Sequence, residues 1–100
     1  MIAQLQDVPK IVKAAEEKFF PDVIRIRYHT GLDWNGDPAI FFRILLSDTA
    51  SSRDNLWQIR KRVDRELFDG FLSLGESDYF PHTTFRSKSE QDELKDPQWE

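Results

Sequence analysis

Between Val23 and Thr30 the chain alternates Arg25, Arg27 and His29 with Ile24, Ile26 and Tyr28, a period of two. A second β-type run, Ala39 to Leu46, carries Phe41 and Arg43 among Ile, Leu and Phe. A third, Tyr79 to Arg86, offers His82, Thr84 and Arg86 at alternate positions. Arginine presents a planar fork suited to phosphate and carboxylate, and it stacks on flat rings. An aromatic ring among arginines is the kind of surface that stacks a base or buries a partner's aromatic side chain. If these side chains share one sheet face, that face holds four arginines, two histidines and a phenylalanine, and its chemistry is the capture of anionic or aromatic groups.

Whether they share a face depends on strand register. Asp33-Trp34-Asn35-Gly36-Asp37-Pro38 separates the first two strands, and Asn-Gly is a strong hairpin signal. A two-residue turn at Asn35-Gly36 would bring Arg43 to the inner face. A three-residue loop, with Trp34-Asn35 in a type I turn and Gly36 left-handed as a bulge, shifts pairing by one residue. Ile24 then meets Leu46, Ile26 meets Ile44 and Tyr28 meets Phe42, all on one side. The hydrophobic pattern selects this second register, because a one-residue slip exchanges the faces entirely. Val23, Arg25, Arg27 and His29 then lie outside with Phe41, Arg43 and Leu45, and Arg27 stands opposite Arg43. Such a like-charge pair is destabilising by roughly 0.2–1 kcal/mol, so the face is shaped by something other than stability alone. Trp34, at the hairpin tip, is a further candidate anchor.

Other chemistry finds little support. The alternating oxygens of Asp33, Asn35 and Asp37 suggest a calcium loop, but glycine falls fourth instead of sixth and Ile44 stands where a bidentate Glu is required. His29 and His82 are the only candidates for acid–base work, with no carboxylate fixed beside them by spacing. No serine lies in a Gly-x-Ser-x-Gly context, and there is no Gly-rich phosphate loop and no metal-spaced His pair. No cofactor or metal is implied.

Two amphipathic helices must position the strands. Val8, Ile11, Val12, Ala15 and Phe19 form an apolar stripe over Val8 to Phe20, with Asp7 as cap, Pro9 in the first turn and Pro21 as stop. Leu56, Ile59, Val63, Leu67, Phe71 and Leu74 keep one helical phase, with Ser51 or Ser52 as cap and Gly75 as stop. Gly70 falls inside that stripe at a cost of about 1 kcal/mol against Ala. Of a second basic cluster, Arg53, Arg60, Lys61, Arg62 and Arg65, the last three project from the helix back, where Arg62–Glu66 and Arg65–Asp69 have ion-pair spacing.

The expected fold is α+β: a two-layer sandwich of order α-β-β-α-β, with a small three-stranded sheet and two helices on one face. Residues 1–86 form the domain, and 87–100 an acidic polar tail without core pattern except Trp99. The order resembles truncated ferredoxin-like folds and the second type of KH domain. Gly70 and Gly75 do not supply the Gly-x-x-Gly clamp of the latter, and order alone carries no function.

One hundred residues, 39% hydrophobic and 32% charged, suit one globular domain. The formal charge of −4 weighs against phosphate-driven binding. No apolar run reaches membrane-spanning length, Met1 to Gln6 lacks a signal-like leader, and the absence of cysteine suits a cytoplasmic setting. From Glu90 onward five carboxylates face one lysine, so the tail itself is a candidate cover for the arginines. The leading reading is a small non-enzymatic interaction protein. It uses Arg25, Arg27, His29, Trp34, Phe41, Arg43, His82 and Arg86 to hold an acidic or aromatic protein partner, or a second copy in a homodimer. The alternative is single-stranded RNA or DNA binding by the same face; the third reading is a small ribonuclease or toxin-like enzyme.

Overall fold

The inner face of the sheet and two helices make the core. A computed structural model describes residues 6–52, 54–73 and 79–100. In chain order the elements are α1 (Val8–Phe19), β1 (Val23–Leu32), β2 (Pro38–Leu46), α2 (Leu56–Leu72), β3 (Phe80–Ser87) and α3 (Lys88–Leu94), followed by a 3-10 turn at Pro97–Trp99. The class is α+β, as the patterning predicts, with α3 as a third helix beyond the expected two. The leader reading at Met1, the stop at Gly75, and the parts assigned to Leu74 and Arg53 lie outside the described residues.

β1 and β2 form an antiparallel hairpin and β3 adds in parallel beside β2, so the sheet order is β1-β2-β3. Parallel pairing follows from the intervening α2, which returns the chain to the end of the sheet where β2 begins. Val23, Ile26, Ile40, Phe42, Ile44 and Leu46 pack against Val8, Val12 and Ala15 of α1 and Ile59, Val63, Leu67 and Phe71 of α2. β1 is an edge strand, and α1 protects it: the Ile26 amide donates to Glu16 Oε2 at 2.7 Å.

The hairpin takes the three-residue loop. Gly36 has φ +83°, its amide donates to the Asp33 carbonyl at 3.0 Å, and the Asp33 amide donates to the Asp37 carbonyl at 2.9 Å. Ile26 therefore pairs with Ile44, Arg27 with Arg43, Tyr28 with Phe42 and His29 with Phe41. The far end differs from expectation. A bulge between Val23 and Arg25 pairs Val23, not Ile24, with Leu46. Val23 thus turns inward at 0% exposure while Ile24 is 38% exposed, because one extra residue reverses the side-chain alternation.

The helix caps also differ. Asp7 makes no side-chain cap bond and lies 3.8 Å from Lys10. The α2 cap is Asn55 rather than Ser51 or Ser52, and its Nδ2 reaches back to the Thr49 carbonyl and Ser52 Oγ. Gly70 is explained by packing: a Cβ there would meet Ile11 Cγ2 at 2.8 Å. Glu66, spaced for Arg62, is taken instead by Lys18 of α1 at 2.8 Å. No helix among the described residues is long and apolar enough to cross a membrane.

Candidate functional site

On the outer face the strands align their side chains in cross-strand rows. Register places His29, Phe41 and His82 in one row, Arg27, Arg43 and Thr84 in the next, and Arg25, Leu45 and Arg86 in the third. β3 contributes as expected, since its alternate residues face the helices: Thr83 Oγ1 donates to Asp64 Oδ1 of α2 at 2.7 Å, and Arg60 lies over the Phe85 ring at 5.1 Å. The seven strand candidates share this surface, with Trp34 at the adjoining hairpin tip. They divide into a covered half and an open half.

The covered half lies under the chain that follows β3. α3 begins with a reciprocal cap, in which the Glu90 amide donates to Ser87 Oγ and the Ser87 amide to Glu90 Oε1. Asp48, after β2, accepts from the Ser89 amide at 2.9 Å and from Ser89 Oγ at 2.5 Å. These bonds, with the Lys88 charge adding a smaller effect, hold the exposed Asp48 carboxyl below its ordinary range despite slight opposing desolvation. Lys95 then takes a left-handed conformation, φ 52°, and closes the helix with its amide on the Gln91 carbonyl. Residues 96–100 cross the arginine rows.

Three guanidinium groups grip the main chain of that segment. Arg43 Nε donates to the Gln98 carbonyl at 2.9 Å, Arg25 Nε to the Trp99 carbonyl at 3.2 Å and Arg27 Nε to the Glu100 carbonyl at 2.9 Å. Arg86 holds side chains instead. It lies over the Trp99 ring at 4.4 Å, donates to Gln91 Oε1 at 2.8 Å and sits 3.6 Å from Asp96 Oδ2. Gln91 is 2% exposed, and its Nε2 donates to the Asp96 carbonyl and to Glu100 Oε2, both at 2.7 Å. Trp99 is 4% exposed and Leu45, on the outer side of β2, is buried as well. The opposed Arg27–Arg43 pair is thereby offset. Its repulsion is of order 0.2–1 kcal/mol, and a hydrogen bond from a charged donor returns about 1.5–3 kcal/mol when shielded, less at this exposed edge.

The open half is a ladder of rings. His29 and Phe41 stack with centroids 5.0 Å apart, and Phe41 and His82 at 5.2 Å. Phe80 meets His82 edge-on at 5.2 Å, and Trp34, 84% exposed, tilts against it at 5.8 Å. His29 and His82 thus take the two faces of Phe41. Arg43 Nη1 contacts His29 Nδ1. Partial desolvation first, and the Arg43 charge second, hold the His29 pKa below its ordinary value of 6.5. His82 Nε2 is buried without a hydrogen bond and lies 3.9 Å from Asp33 Oδ2, while Asp33 Oδ1 accepts the Asn35 and Asp37 amides.

The arrangement donates and attracts acceptors. Phe41 separates the two imidazoles, so they do not face each other across a shared substrate space. Among the described residues no group of three or more His, Asp or Glu side chains is arranged to hold a metal ion. A separate cavity of about 460 Å³ lies between α1 and α2, lined by Lys18, Phe19, Phe20, Asp22, Ile59, Arg62, Arg65 and Glu66. Gln91 and Phe80 were not among the sequence candidates. Ser87-Lys88-Ser89-Glu90 is a readable helix start that points to α3, and hence toward Gln91; no comparable signal marks Phe80. A scan of the chain against protein-family models finds no match, and a search among curated proteins finds none.

Proposed function

We propose that this chain is a small non-enzymatic interaction protein that holds an acidic segment of a partner protein across the outer face of its sheet. The observation that supports this reading is the grip of Arg43, Arg25 and Arg27 on three successive carbonyls, at residues 98, 99 and 100. The three carbonyls turn to one side because Pro97–Trp99 is a 3-10 turn, so the face suits a tightly turned backbone, and four guanidinium groups favour carboxylates along it. The test is fluorescence polarisation with a labelled acidic peptide, comparing wild type with Arg27→Glu/Arg43→Glu. At least about tenfold weaker binding with a cooperative thermal melt is the expected result. Unchanged affinity contradicts the reading.

Single-stranded RNA or DNA is the second reading, favoured by rings beside Arg43. His29 and His82 take both faces of Phe41, and the net charge of −4 opposes phosphate. Oligonucleotide binding that falls steeply with salt would favour it over a protein partner.

A further inference from the structure

We infer that residues 96–100 are a displaceable internal competitor for the outer-face site, and that the partner segment they stand in for is a tight 3-10 turn that is acidic and carries an aromatic side chain. The inference rests on the binding reading above and adds the chemistry of the partner and the means of access.

The segment and the helix before it are held by different contacts. α3 is fixed by the Ser87–Glu90 cap and by Asp48 on Ser89. The chain after it is joined through left-handed Lys95 and held by the arginines and Gln91. Release of 96–100 therefore leaves the α3 anchor intact. The bonds from Arg27 and Arg43 end on backbone carbonyls at the solvent-exposed edge, so the carbonyls of a second chain in the same tight turn satisfy them equally well. Side-chain recognition comes from two features. Arg86 covers an aromatic ring through cation–π contact and attends a carboxylate, here Trp99 and Asp96. Gln91 accepts from Arg86 and donates to the Glu100 carboxylate. A competitor with the pattern acid–Pro–x–aromatic–acid reproduces every one of these contacts.

Adding the unlabelled peptide acetyl-Asp-Pro-Gln-Trp-Glu-amide to the ¹⁵N-labelled full chain tests the inference by NMR. The expected result is that the Trp99 indole and the amides of 96–100 move toward free-chain positions as the arginine Nε signals stay protected. Trp99→Ala, which weakens the internal segment and leaves Arg86, Gln91 and the other receiving residues in place, is expected to bind the peptide about tenfold tighter; binding to this variant alone supports the inference equally. Peptide binding with the Trp99 signals unmoved overturns the competitor and leaves the binding reading standing. No binding to either protein, with both melts cooperative, removes both. Movement of the Trp99 signals on concentrating the protein alone, with a doubled mass, identifies a second copy as occupant and overturns the separate partner.

Discussion

Arg27 stands directly opposite Arg43 across the β1–β2 ladder, and both side chains reach the same short stretch of chain, at the Glu100 and Gln98 carbonyls. Two like charges are placed side by side and both are supplied with acceptors from a segment far away in sequence.

Replacing both by alanine removes two of the three main-chain grips. We expect a stability loss of about 1–2 kcal/mol, because the bonds are exposed, and a red shift of Trp99 emission. Denaturant melts of wild type and the double variant, followed by fluorescence and by far-UV circular dichroism, provide the check. An unshifted Trp99 would mean that the arginines do not seat the segment.

Trp99→Ala removes the one large apolar side chain of that segment. A loss of about 3 kcal/mol is expected, at the low end for truncating a buried aromatic, together with increased solvent exchange at the 96–100 amides and little change in α1 or α2. Hydrogen exchange separates this from a global loss of structure.

His29 makes the face sensitive to acid. Its folded pKa lies below the ordinary 6.5 through burial and the Arg43 charge, so just below pH 6.5 the unfolded chain binds more protons than the folded one. Its stabilising contribution is complete above pH 6.5 and is lost as pH falls through the depressed pKa. Thermal midpoints measured across that window should fall with acid in wild type and fall less in His29→Gln. An acidic peptide should bind more tightly over the same descent, since protonated His29 adds positive charge beside Arg43.

Gly70→Ala tests the helix packing. Alanine gains about 1 kcal/mol of helix propensity, but its Cβ would meet Ile11 Cγ2 at 2.8 Å and overpacking costs about 1–3 kcal/mol. A net destabilisation of about 1 kcal/mol is expected in urea melts, and restoration by Ile11→Leu, which has no methyl on its Cβ, would locate the clash.

Much of this surface was legible because one glycine fixes it. Gly36, able to take φ +83°, sets the three-residue loop, and the loop sends Arg25, Arg27, His29 and Arg43 outward together. The start of β1 was not legible. Val23 and Ile24 are both β-branched and apolar, so nothing in the alternation reveals which one the bulge absorbs. The segment after β3 was legible in composition but not in path: Trp99 stood out among acids, yet its seat depends on Arg86 and on Gln91, a polar residue whose burial no periodicity announces. The open ring ladder depends on β3 lying parallel to β2, which brings His82 level with Phe41.

The most direct measurement is a map of where an acidic peptide touches the protein. Chemical-shift perturbation in the ¹⁵N-labelled full chain should cluster on Arg25, Arg27, His29, Phe41, Arg43, His82 and Arg86 and vanish in Arg27→Glu/Arg43→Glu. Perturbations confined to Lys18, Arg62 and Arg65 around the α1–α2 cavity would place binding on the wrong side of the sheet and contradict the account.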